Sequence, residues 1–137
     1  LMIVVAIIAI LAAIAIPAYN NYITEARISK VTEHYDSAVR VIRATLSKNA
    51  ATEARGGTPS PATPTTALGW INTIIDPDGK STAPQGAGAG FIDSATGDAT
   101  TGAIGVDVTG TRVLITRPDY GTHFGSAATV GIDTSLI

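Results

Sequence analysis

Residues 1–16, LMIVVAIIAILAAIAI, closed by Pro17, constrain this chain more than any other stretch. They hold no charged side chain, hydroxyl or amide, and the first side chain with a full charge at neutral pH is Glu25. A helix apolar on every side must be covered on every side or sit in lipid. The rest of a 13.9 kDa chain, rich in Gly, Ala, Thr and Asp, does not supply that cover. The segment is therefore expected in lipid, among copies of itself, or in each in turn.

Sixteen helical residues span about 24 Å, short of the ~30 Å hydrocarbon layer. Continuing through the uncharged residues 18–24 extends the span to about 36 Å, with Pro17 inside it. A secretory signal peptide is the competing reading and fits poorly. No positive charge precedes the apolar run, and Pro17-Ala-Tyr-Asn-Asn is unlike a small-residue cleavage site. The sequence opens within the apolar run, so further residues upstream of Leu1 are expected.

Beyond Pro17 the spacing remains helical. Ile28, Val31, Tyr35, Ala38, Ile42 and Leu46 recur at threes and fours, widened by Val39 and Val41, and predict one apolar face. Arg27, Lys30, Glu33, Asp36, Arg40, Arg43 and Lys48 lie on the other, where Asp36 and Arg40 form a favourable i,i+4 pair. No Gly or Pro interrupts residues 18–55, and Gly56-Gly57 predicts the stop. Joined to the apolar run, this makes one rod of about 80 Å, far longer than a small domain needs. Pro17 removes the donor that the Ala13 carbonyl would otherwise meet. It is either a boundary between two parts of the rod or a weak point where the helix kinks and melts cheaply.

Residues 56–66, GGTPSPATPTT, read as a stiff Pro/Thr linker. Thr58, Ser60 and Thr63 are candidate O-glycosylation sites within it, against the plainer reading of a connecting loop. Residues 67–75, ALGWINTII, fit a short helix or a buried strand; as a helix, Trp70, Ile71, Ile74 and Ile75 would pack on the rod. Asp76-Pro77-Asp78-Gly79 is a turn signal. Its carboxylates lack the further spaced oxygens of an EF-hand loop. Residues 85–90, QGAGAG, lack the Lys-Ser/Thr of a phosphate loop and read as flexible. From Phe91 the period becomes two: Ile104, Val106 and Val108, then Val113 and Ile115 beyond Thr109-Gly110, predict a hairpin over 103–117. Residues 91–92 and 128–132 are expected as outer strands of an antiparallel sheet laid on the rod.

Several function classes drop out. Residues 25–55 carry a net +2 and 56–137 a net −4, too little to hold nucleic acid by charge. With no cysteine, disulfides and thiolate metal sites are excluded. His34 and His123 stand apart, with His34 expected in solvent. Ser94, Ser126 and Asp119 near His123 show no nucleophile elbow. No enzymatic constellation, metal or cofactor is implied.

Residues 1–19, LMIVVAIIAILAAIAIPAY, resemble the N-terminal segment of type IV pilins, a class that includes the pseudopilins of type II secretion. The long amphipathic helix, linker and small sheet agree with that family's architecture. The resemblance implies processing by a prepilin peptidase and N-methylation, on a Phe that this sequence does not contain. It further implies insertion in the inner membrane, then homopolymerisation by an assembly machinery into an extracellular fibre. The filament core would be packed by Leu1, Met2, Val5, Ala6, Ile8, Ala9, Leu11, Ala12, Ala13 and Ile16. Family members lose helicity near the position of Pro17 on assembly, which favours melting at Ala13 and Pro17. The sequence departs from the family in lacking its glutamate and its paired C-terminal cysteines, and in having Ala9 where many members have Gly. Strand pairing by residues 128–132 is expected to tie down 118–137 instead.

The expectation is an α+β pilin fold: a long N-terminal helix, kinked near Pro17, packed on a small antiparallel sheet. Residues 1–24 form the membrane or filament-core helix, 25–55 its amphipathic continuation, 56–66 the linker and 67–137 the head. The expected role is a structural pilus subunit. A secretion pseudopilin and a single-span membrane-tethered binding domain are the alternatives. A subunit alone in water would expose on the order of 2,000 Å² of apolar helix, several times the largest patch of an ordinary monomer.

Overall fold

The computed structural model describes residues 1–136; Ile137, the last residue assigned to the head, lies outside them. One helix, α1 (Met2–Ala54), provides 53 of the residues and is about 80 Å long. Helical backbone continues through Pro17. The stop is a Schellman cap. Gly57 N donates to Thr52 O and Gly56 N to Glu53 O, both at 2.9 Å. Gly56 takes the left-handed conformation (φ +76°) that this cap requires.

The linker is laced back onto the rod. Lys48 Nζ donates to Ser60 O (3.1 Å), and Asn49 Nδ2 to Pro61 O (3.2 Å) and Thr63 Oγ1 (3.4 Å). Thr66 then caps one α-helical turn, α2 (Ala67–Trp70), its hydroxyl accepting from Gly69 N at 3.1 Å. A π-helical turn, Ile71–Ile75, follows directly. Of the two readings open for 67–75, the helical one is adopted. Trp70, Ile71 and Ile74 are buried against the rod, and Ile75 packs half-buried beside them.

Four strands complete the head: β1 (Phe91–Asp93), β2 (Ile104–Thr109), β3 (Arg112–Arg117) and β4 (Ala128–Asp133), in spatial order β1-β2-β3-β4. The hairpin β2–β3 is antiparallel and closed by Gly110-Thr111, with Thr109 opposite Arg112. Strand β4 pairs antiparallel with β3 along all six of its residues, from Ala128 opposite Arg117 to Asp133 opposite Arg112. That ladder ties down the C-terminal segment as expected.

The α+β class is the one anticipated, but the sheet is mixed, because β1 runs parallel to β2. The intervening chain returns to its starting end by crossing the face of the sheet turned away from the rod. Asp98 folds it back, its carboxylate accepting from Thr100 N (2.8 Å) and Thr101 N (3.3 Å). Those bonds, the Thr100 amide foremost, hold the Asp98 carboxyl below the usual range. Thr116 Oγ1 donates to Ala95 O (2.9 Å) beneath the crossover, which buries that hydroxyl.

The crossover lies directly on Gly105, where a Cβ would stand 2.5 Å from both Gly97 N and Ser94 O. Both are backbone atoms and cannot rotate away. Gly105→Ala is therefore expected to destabilise the head by about 1–3 kcal/mol through overpacking. A lowered thermal midpoint with the β2–β3 amides exchanging faster is the measurement that checks it.

The core lies between the rod and the inner sheet face. Val31, Ala38, Val39, Ile42 and Leu46 from α1 meet Trp70, Ile104, Val106, Val113 and Ile115. Ile28, Tyr35 and Val41 pack half-buried at its edges. Asn49, wholly buried one step beyond Leu46, extends the stripe with a polar residue that apolar periodicity does not reveal.

Candidate functional site

The head begins to cover the rod at Ile23; every residue from 1 to 22 is exposed. Leu1 is fully accessible, and Ile14 keeps 69% of its surface. All ten residues proposed to pack a filament core, from Leu1 and Met2 to Ala13 and Ile16, lie in this uncovered segment, on all sides of the helix. The helix is long and apolar enough to cross a membrane, and no part of its most apolar window is buried. Ala6, Ala9 and Ala13, spaced three and four apart, form one strip of small side chains where another helix can approach closely. Ala13 and Pro17 stand together one turn apart in continuous helix.

Tyr19 and Tyr22 are also exposed, three residues apart on one face, just where the apolar run ends. Paired tyrosines at that level match the aromatic belt of a membrane–water interface. Their spacing beside the last apolar turn is a signal legible in the sequence itself.

Of the three hydroxyls considered for glycan attachment, Thr58 and Ser60 are exposed, whereas Thr63 is half-buried with its oxygen engaged by Asn49. Ser94, Asp119 and Asp76, singled out in the sequence, serve the loops. Ser94 Oγ accepts from the amides of Thr96 (3.3 Å) and Gly97 (3.2 Å), and Asp119 Oδ1 from Phe124 N (2.9 Å). His123 packs on Tyr120 with ring centroids 6.0 Å apart. Asp76 accepts from Lys80 N (3.3 Å) and Ser81 N (3.0 Å), and so shapes its own turn. Among the described residues, no three His, Asp or Glu side chains converge as a metal-ion cluster.

Among the described residues, two of the grooves flank the rod within the head. One opens where the head first meets α1, between Arg27 and the Tyr120–His123 segment, and Tyr120 donates its hydroxyl to Gln85 Oε1 at its side (2.7 Å). The other is lined by Tyr35, Asp36, Val39, Arg40, Arg43 and Val130, between α1 and the outer edge of β4. On β3 the Arg117 guanidinium lies 3.9 Å over the Phe124 ring, with its Nε buried and unpartnered. No sequence signal announced that stacking, which depends on the β3–β4 register.

His34 corrects the expectation of a solvated side chain. It is half-buried against Phe91, ring centroids 5.4 Å apart, with Nδ1 buried and unpartnered. Desolvation, and then the Lys30 charge, lower its pKa below 6.5. The unfolded chain therefore binds the proton more readily, so this contribution to stability is complete above about pH 6.5 and is lost as pH falls through the folded pKa. The thermal midpoint of the head is expected to drop between pH 7.5 and 5. In His34→Gln that part of the drop should disappear.

Comparisons with protein families, with curated proteins and with solved structures returned no match.

Proposed function

We propose that this chain is a structural subunit that polymerises into a surface filament of the type IV pilus kind, with no catalytic role. The observation that carries the reading is the bare apolar stalk: residues 1–22 are uncovered on all sides, on the same helix whose continuation walls the head's core. A membrane can shelter such a stalk before assembly. Packing against sibling stalks shelters it permanently, with heads facing outward.

The proposed partners are further copies of the chain, the inner membrane before assembly, and a prepilin peptidase with its assembly machinery. The finished fibre would be extracellular, serving adhesion, motility or DNA uptake. The same geometry serves a shorter secretion pseudopilus, and a tethered single-span domain would use the stalk as an anchor only.

Imaging fibres sheared from cells that express the full chain, at a resolution that traces side chains, tests the proposal. Residues 1–22 should form the fibre axis, with the helix opened near Ala13 and Pro17. A dispersed monomer with its stalk folded onto its own sheet, or a fibre built from heads alone, would overturn it.

A further inference from the structure

We infer that the groove beside Arg40 and Arg43 receives the Asp76–Gly79 turn of a second copy of this chain. The inference rests on the polymeric reading above and adds to it which outer surfaces meet.

The groove has an apolar floor and a cationic rim. Val39 is buried, Tyr35 and Val130 are half-buried, and Arg40 and Arg43 are exposed above them. Two guanidiniums at the rim thus stand beside one carboxylate, Asp36. The neighbouring β4 is an edge strand of the sheet.

The turn offers the complement. Gly79 N donates to Asp76 O (3.0 Å), closing a tight loop with Pro77 and Asp78 exposed at its tip. Asp76 is committed to the amides of Lys80 and Ser81. Among the described residues, no hydrogen bond engages the Asp78 carboxylate. Pro77 can lie on the Tyr35 and Val39 floor while Asp78 takes paired N–H donors from an arginine at the rim, a charge-assisted contact with defined geometry.

The two surfaces lie on different flanks. Lys30 Nζ donates to Thr82 Oγ1 (3.2 Å), and Gly90, bonded to Ser81 O (2.8 Å), abuts the His34 ring. The turn is thereby fixed to the Lys30 and His34 side of the rod. At 3.6 residues per turn, that side is about 150° around the rod from Asp36 and Arg43. Surfaces so placed cannot pair reciprocally in a closed dimer. They join copies head to tail, and such contacts propagate into an open helical array.

The absence of cysteine gives the test a clean background. Full-length Arg43→Cys/Asp78→Cys, assembled and treated with a short bis-maleimide, should give a ladder of covalent oligomers on a denaturing gel. Each single variant should remain monomeric. Filaments visible by microscopy but with no ladder, or dimers from a single variant, would overturn the inference and leave the polymeric reading standing. Absence of filaments from the wild-type chain would overturn both. Independently, Arg43→Asp and Asp78→Arg should each lower filament yield at least tenfold, and their combination should restore it to within twofold. A combined variant no better than the single ones would refute the pairing.

Discussion

Ala13→Glu is expected to abolish filaments while leaving the head folded. Ala13 belongs to the exposed small-residue strip, about 15 Å along the helix from Ile23, where the head begins. A carboxylate in an apolar interior costs about 3 kcal/mol even on the most lenient insertion scale. That is a loss of more than 100-fold in the affinity of one subunit for its neighbours. Every subunit of a fibre would carry the same penalty, so the defect should read as absence of filaments, not as fewer of them. Electron microscopy of sheared material supplies the first measurement. The second is the environment of Trp70, the sole tryptophan, which should be unchanged in detergent-held protein. Filaments of normal length and number would remove residues 1–22 from the fibre core.

Trp70→Ala is expected to have the opposite profile, unfolding the head while leaving the stalk helical. Trp70 is wholly buried where α2 passes into the π-turn, between the rod and the inner sheet face. Truncating a buried Trp removes about 3–5 kcal/mol. A small domain has only about 5–15 kcal/mol in all. Trp70→Phe should lose far less, because Nε1 is buried without a partner and its removal breaks no hydrogen bond. Amide exchange at Val106, Val113 and Ile115 reports the head separately from the long helix. Protection retained in Trp70→Ala would show that the rod's own stripe suffices to hold the sheet.

The parts of this fold that were readable from the residues are those governed by local periodicity. The three- and four-spacing from Ile28 to Leu46 marks the face that becomes the core wall. Alternation through Val106, Val108, Val113 and Ile115 marks the hairpin, and Gly56-Gly57 marks the cap. Non-local facts were not readable. The direction of β1 leaves its own alternation unchanged and depends on a crossover whose path Gly105 and Gly97 permit. Asn49 is buried because the linker doubles back to use its amide. His34 is covered because the chain around Gly90 comes to rest on it, far from it in sequence. The candidate assembly segment was the easiest to read, since an uninterrupted apolar run needs no partner to be visible. The complementary flanks were the hardest, because each becomes a surface only when the strands and loops are in place.

One helix serves both as stalk and as a wall of the head's core, with no hinge residue between Tyr22 and Val31 other than ordinary helical ones. A pull on the stalk therefore reaches the head as shear along the helix axis. Shear loads Val31, Ala38, Ile42 and Leu46 together, whereas a peeling force would strip them one at a time. Close-packed interiors transmit such strain instead of absorbing it. The joint between shaft and head should therefore resist a pull along the helix axis better than one across it.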